Sequence, residues 1–238
     1  MARSTARREE ILAVAGELFR QKGYHATSMQ DIADRLQLQR GSLYAHIDSK
    51  EELLFEIVDR AAERFLAGIE QAWRAGGSAT ERLRLALQAH MTVIAEHRDT
   101  ATVFFHEWRF LRDDLRRQIQ AKRDRYEARW RELIADGIAR GEFRPVDPRF
   151  AALLALSAVN WSYHWYSPAG PLSPAAVADR FAELILDGLR LRPGVPGGEA
   201  GAVEAGAGEP GTAGRGAAPD TAGPGTFPGH GARSAPGV

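Results

Sequence analysis

Cysteine is absent from the 238 residues. Disulfides, thiolate metal sites and cysteine nucleophiles are excluded with it. Net charge is missing too, since 31 basic residues balance 31 acidic ones. The chain therefore lacks the broad positive field that holds nucleic acid without regard to sequence. No uninterrupted apolar run approaches the roughly 20 residues of a membrane span. The charged start MARSTARREE has no apolar core of a secretory signal. These absences predict a cytoplasmic protein with no membrane partner. Enzyme signatures are lacking as well: there is no G-x-S-x-G, no phosphate-binding loop and no dinucleotide glycine fingerprint. His106-Glu107 is not followed by the second histidine of a zinc-protease helix. Nothing makes His90, His97 and His106 converge on a metal. The expectation is no enzyme, no metal and no cofactor.

What is present is helical. Period-2 alternation is not seen, and apolar residues recur at helical spacing throughout the first 192 residues. Ile11, Leu12, Ala15, Leu18 and Phe19 mark a first helix that Gly23 ends. Thr27 opens T-S-M-Q, read as a capping box for a short helix through Leu36, and Ser49 opens a second box, S-K-E-E. A long helix then carries Leu53, Leu54, Ile57, Val58, Ala61 and Phe65 on one face. Gly76-Gly77-Ser78 breaks the chain, with Thr80 near the next start. Later helices are expected up to about His97, near 100–110, from about Asp113 to Arg140, from Pro148 to near Tyr166, and from Ser173 to about Arg190. The fold class is all-α. Residues 1–50 form a three-helix helix-turn-helix domain, and 51–192 a helical effector-binding and dimerisation domain. Residues 193–238 hold 14 Gly and 7 Pro, with Phe227 as the sole aromatic. Such a segment is expected to stay disordered, because it cannot bury enough apolar surface to offset its ordering entropy.

Residues 28–47 carry the main signal. Two short helices flank Gln37-Leu38-Gln39, with Ile32 and Ala33 inside the first, and Leu43 and Ile47 anchoring the second. This fits a helix-turn-helix. Charge agrees locally, since Arg3, Arg7 and Arg8 stand without an acid over 1–8, as does Arg40 over 36–47. The run G-Y-H-A-T-S-M-Q-D-I-A-D-R-L-Q-L-Q-R-G-S-L-Y-A-H-I-D-S-K-E-E-L-L resembles the signature of the TetR repressor family. Leu36, where the family usually has a small residue, and Ile47, usually an aromatic, depart from it but stay apolar. The chemistry is coherent on its own terms. Thr27 and Ser28 open a helix whose free N–H groups suit a phosphate. Tyr44 and His46 can each donate to a phosphate. Lys50, at a helix start where a cation opposes the dipole, makes sense facing one. Gln39, Arg40, Ser42 and Ala45 lie early enough on the second helix to reach base edges, and Arg40 suits guanine. Gly41 lets the backbone approach DNA closely. The resemblance implies the same roles. Taken singly, Tyr44 also suits a core, and His46 or Lys50 a solvated surface.

Aromatic residues are dense between 104 and 166. Phe105, Trp108, Tyr126, Trp130, Trp161 and Trp165, with Asn160 and His164 one turn apart, suit the walls of an apolar ligand cavity; they suit a core equally. E-W-R-F-L, R-D-R-Y-E, G-E-F-R-P and N-W-S-Y-H-W-Y-S-P-A-G-P-L-S resemble the C-terminal domain of a TetR branch that senses acyl-CoA thioesters and regulates fatty-acid, phenylacetate or sterol breakdown. Arg109, Arg112, Arg116, Arg117, Arg123 and Arg125 are candidate partners for CoA phosphates, though an arginine-rich helix is also an ordinary solvated surface. Leu153, Leu154, Leu156, Ser157 and Trp161, with Val177, Phe181, Leu184, Ile185, Gly188 and Leu189, offer two apolar faces for a four-helix dimer interface. The expected partners are double-stranded operator DNA, a small-molecule effector such as an acyl-CoA, and a second copy of the chain. A lipophilic drug as effector, with an efflux gene as target, and a ligand carrier or enzyme with a vestigial DNA-binding domain stand as alternatives.

Overall fold

Helix periodicity along the chain is realised in a computed structural model that describes residues 2–189, with side chains from residue 6 onward. The tail proposed for 193–238 and the last turn expected at Arg190 lie outside the described residues. Among those described, ten α-helices and one 3-10 turn supply the regular structure: α1 (Ala2–Lys22), α2 (Met29–Arg35), α3 (Arg40–Tyr44), α4 (Lys50–Arg74), α5 (Ala79–Glu96), α6 (Arg98–His106), the 3-10 turn Trp108–Phe110, α7 (Asp113–Ala139), α8 (Pro148–Asn160), α9 (Ser162–Trp165) and α10 (Pro174–Leu189). The all-α expectation holds.

The helix ends follow local chemistry, with two shifts from the sequence reading. Ser28, not Thr27, caps α2: its oxygen takes the Asp31 N–H at 3.1 Å, while Asp31 accepts the Ser28 N–H at 2.8 Å. Ser78, two residues before Thr80, caps α5 in a box with Glu81. Glu142 reinforces that start by accepting the Ala79 and Thr80 N–H groups at 3.0 and 3.1 Å. The box expected at Ser49 is only half formed. Ser49 takes the Glu52 N–H, but the Glu52 carboxylate accepts from Asp48 instead. The helix expected from Pro148 to Tyr166 breaks at Trp161 into α8 and α9. Gly141, at φ 72°, ends α7 in the left-handed conformation glycine favours.

α4 is the central element. It packs on α1, α5, α6 and α7. Its buried residues, from Leu53 and Leu54 through Phe65 to Ala72, keep i, i+3, i+4 spacing. Burying each large aliphatic side chain stabilises by about 1.5–3 kcal/mol. One apolar cluster runs from Ile11 and Phe19 through Ile32, Leu43 and Ile57 to Phe65, Phe104, Ile119 and Tyr163. It crosses residue 50 without a gap. A second cluster joins α5, α7, α8 and α10 around Leu83, Trp130, Ile134 and Leu186. Between α5 and α7 the nearly buried Arg82 pairs with Asp136 and lies over the Trp73 ring, 5.1 Å from its centroid.

Candidate nucleic-acid interface and effector cavity

α3 is five residues long, shorter than the stretch to Ile47 expected for it. Leu43 and Ile47 are fully buried and fix its inner side. The turn before it holds Gln37 at φ 56°, and the Leu38 N–H reaches the Ala33 carbonyl at 2.9 Å. A left-handed glutamine costs free energy that a glycine would not. The outer side is polar and exposed: Gln39, Arg40, Gly41, Ser42, Tyr44 and Ala45 all face solvent. Gln39 sits at the N-cap position but makes no side-chain cap bond. Arg40 lies beside Tyr44, its guanidinium 5.6 Å from the ring centroid, and no carboxylate among the described residues pairs with it. A Cβ built on Gly41 meets nothing within 4 Å, so packing does not demand a glycine there.

Three residues expected to meet phosphate have other work. Thr27 is buried, and its hydroxyl donates to Gly23 O at 2.9 Å and to Leu18 O. Its side chain is therefore removed from any DNA contact. Ser28 is exposed, but its hydroxyl serves the cap of α2, next to the Asp31 carboxylate. Lys22 beside that carboxylate, together with the Ser28 bonds, holds Asp31 well below the usual carboxylate range. Lys50 donates to Tyr24 O at 2.9 Å and Thr27 O at 2.8 Å, with its ammonium 4.4 Å from the Tyr24 ring centroid. Its unfavourable place at a helix start is repaid inside the protein. His46 is half-buried. Its carbonyl accepts from Arg8, which also reaches Glu52 and Glu56 at 2.6 Å. Arg8 thus joins α1, the end of α3 and α4, and adds little to a positive footprint. Arg7 pairs with Glu10.

A second site lies between α4, α5, α6, α7 and α8. It is a cavity of about 310 Å³. Five of the ten residues predicted for an effector line it: Phe105, Trp108, Arg123, Tyr126 and Asn160. The other five do not. Trp130 is fully buried in the second cluster, edge-on to Tyr126. Arg109 is exposed and donates to the His106 carbonyl at 2.7 Å. Trp161, His164 and Trp165 are exposed on the far side of α8 and α9, because the break at Trp161 turns them away. Of the six arginines considered for phosphate, Arg123 alone lines the cavity, while Arg112, Arg116 and Arg125 pair with Glu51 and Asp114, with Asp113, and with Glu70. Arg123 stands over Phe104 and Trp108, 4.8 and 4.9 Å from their centroids. Burial pushes its pKa down, and no carboxylate among the described residues pairs with it.

The sequence reading missed Phe65, His90 and Phe104. Phe65 was on the inner face of α4, where only packing against another element could single it out. His90 was weighed as a metal ligand. It is instead buried, with Nδ1 2.8 Å from the Tyr126 hydroxyl. Desolvation brings its pKa down to about 3 and raises that of Tyr126. Both are neutral at pH 7.

A helix-turn-helix ahead of a helical domain with an aromatic cavity is a two-site regulator in outline, and the comparisons decide the family. Residues 11–57 match the family "Bacterial regulatory proteins, tetR family", and 76–189 match "Tetracyclin repressor-like, C-terminal domain". The TetR-family regulator PfmR from Thermus thermophilus is 36% identical, with a TM-score of 0.70 over 74% of this chain and 97% of that one. This chain belongs to the TetR family. It is a DNA-binding transcriptional regulator, and the matched families are regulators rather than enzymes. Similar curated proteins include the transcriptional repressor KstR2 of Mycolicibacterium smegmatis, 28% identical over 77% of this chain and 91% of its own length. The ketosteroid regulator KstR2 of Mycobacterium tuberculosis superposes with a TM-score of 0.75 at 27% identity, over 78% of this TetR-family chain and 96% of that one. AibR, solved with isovaleryl coenzyme A and operator DNA, is 30% identical with a TM-score of 0.68, covering 75% and 97%. No helix among the described residues is long and apolar enough to cross a membrane.

Proposed function

We propose that the protein is a homodimeric repressor that grips a palindromic operator through α3 and releases it when a CoA thioester enters the cavity between α4 and α8. Arg123 is the observation that carries the effector assignment. A cation over two aromatic rings, without a salt-bridge partner among the described residues, at the edge of a cavity that is part aromatic and part polar suits a ligand with an anionic head and an apolar tail. The likeness to AibR, solved with a CoA thioester and operator DNA, supports the same reading. The acyl group buries apolar surface beside Phe65, Phe105 and Trp108, worth about 25 cal/mol per Å². The phosphates add a contribution that salt weakens.

The dimer assignment rests on α8 and α10. Phe150, Leu154 and Leu184 are 72%, 66% and 74% exposed. With Phe181, Ala158 and Gly188 they line an apolar groove of about 460 Å³. Leu156 and Val177, counted with this face in the sequence, are buried in the protomer's own core, while Ile185 and Leu189, though largely buried, line the groove as expected. A second copy covering the groove by two-fold symmetry removes the exposed side chains from water and spaces two α3 helices for successive major grooves.

Titration of the protein on labelled operator with acyl-CoAs, free CoA and lipophilic drugs tests the effector. Release by a thioester, with free CoA weak, is the expected result; release by drugs alone overturns it. On that operator Arg40→Ala loses about 1–3 kcal/mol and relaxes base preference at one position per half-site. An equal loss on every sequence moves Arg40 to the phosphate backbone. Leu184→Glu yields monomers in analytical ultracentrifugation.

A further inference from the structure

His90 lines the cavity, and one polar atom of its ring is buried behind that wall with nothing to bond. His90 is 2% exposed, and its Nε2 is buried without a hydrogen-bond partner among the described residues. Around it stand Phe65, ring centroid 4.7 Å away, with Phe105 and Tyr126 at 6.5 and 6.2 Å. The protonation pattern follows from counting partners. The hydroxyl of Tyr126 lies 2.8 Å from His90 Nδ1 and also feels the indole N–H of Trp130, which can only donate. If that hydroxyl donates, Nδ1 accepts, Nε2 carries the ring proton, and one donor is left unsatisfied. If Nδ1 donates instead, both the phenolic proton and the Nε2 lone pair go unmet. The first arrangement wastes fewer buried groups. Burial keeps the ring neutral, so the tautomer is fixed by the tyrosine.

A buried donor left unmet in an aromatic wall is costly, and a ligand that supplies an acceptor recovers the cost. From the unpartnered Nε2 of His90, locked by Tyr126 in the cavity wall, we infer that this site selects acyl groups bearing a carbonyl or hydroxyl oxygen remote from the thioester over plain hydrocarbon chains. The inference rests on the cavity being the effector site. It adds a division of labour: half-exposed Arg123 takes the anionic head, while His90, the most deeply buried polar side chain of the wall, reads an oxygen on the tail. Selectivity of this kind exceeds what shape gives, because an oxygen on the tail supplies a bond that the empty protein lacks and a hydrocarbon tail cannot make.

Matched pairs test it by isothermal titration calorimetry on the full chain without DNA. One pair is decanoyl-CoA and 10-hydroxydecanoyl-CoA; the other is 3-cyclohexylpropanoyl-CoA and its 4-oxocyclohexyl analogue. In at least one pair the wild type binds the oxygenated member about tenfold more tightly, equivalent to about 1.4 kcal/mol. His90→Phe, which keeps a ring of similar breadth, brings that ratio to about one. The double variant His90→Phe/Tyr126→Phe leaves no stranded hydroxyl and behaves the same way, which covers the case in which the single variant folds poorly. His90→Gln restores a donor and part of the preference. Equal binding of both members of each pair by the wild type, or a ratio that survives His90→Phe, overturns the inference and leaves the cavity an acyl-CoA site. Failure of every thioester to bind overturns the effector reading and this inference together.

Discussion

The outer side of α3 and the wall of the cavity both present polar side chains that make few internal bonds, for opposite reasons. On α3, Gln39, Arg40 and Tyr44 stand in water, where an idle side chain costs nothing. In the cavity, His90 is withdrawn from water and Arg123 partly so, where an idle polar atom is expensive. The first surface can change its chemistry without disturbing the fold. The second holds its polar groups against the cost of burying them. Binding and stability should therefore separate at α3 and stay entangled around the cavity and the helices beneath it.

The strongest way to sharpen that contrast is to strand a charge in the helical domain, between α5 and α7. Asp136→Ala leaves Arg82 almost fully buried without its carboxylate, and a loss of about 3–5 kcal/mol is expected in urea unfolding at pH 7. The pair also carries a pH signature. The hydrogen bond from Arg82, helped by Arg140 and opposed by burial, leaves Asp136 below its ordinary value of 3.8. A depressed carboxylate stabilises fully above that value and loses its contribution as pH falls through the lower folded one. The wild type therefore loses stability below about pH 4, and Asp136→Asn shows a flatter acid limb. A loss at pH 7 no larger than that of Arg40→Ala would erase the contrast between the two regions.

Lys50 tests the boundary between them. It lies beside the proposed DNA surface yet bonds two carbonyls of the loop between α1 and α2. Lys50→Ala should cost about 1.5–3 kcal/mol of stability, the range for hydrogen bonds from a charged donor. An unchanged melting temperature combined with a flatter salt dependence of operator binding would return it to the phosphate contacts. The smallest effect is a gain. Gln37→Gly relieves the left-handed glutamine in the turn, worth about 1 kcal/mol and roughly 2–4 °C in melting temperature for a protein this size. A fall instead would mean that the Gln37 side chain makes a contribution its exposure does not suggest.

Much of the helix-turn-helix was legible because its signals are local. Gly23, the cap of α2 and the spacing of Ile32, Leu43 and Ile47 all act within a few residues of where they stand. Even there, choosing between Thr27 and Ser28 as the cap needed three dimensions, since adjacent hydroxyls read alike and only one faces in. The internal partners of Lys50 were illegible for a related reason: they are 23 and 26 residues away. The cavity was half legible. Aromatic density pointed to the right span, and Phe105, Trp108, Arg123, Tyr126 and Asn160 do meet. Trp161 and Trp165 were indistinguishable from them in sequence until the break at Trp161 turned both outward. His90 was visible as a residue but not as a partner of Tyr126, 36 positions away.

The first apolar cluster passes from Ile11 to Tyr163 with no break at the start of α4. A body packed in this way has no joint at which its halves can move independently, so each ligand alters the work done by the other. Thermodynamic linkage makes that exchange symmetrical. If a thioester weakens operator affinity by a factor of about 100, the operator must weaken the affinity for that thioester by the same factor. Protein seated on DNA then responds only at effector concentrations well above those that saturate it free in solution. The operator thus sets the dose at which its own gene is released.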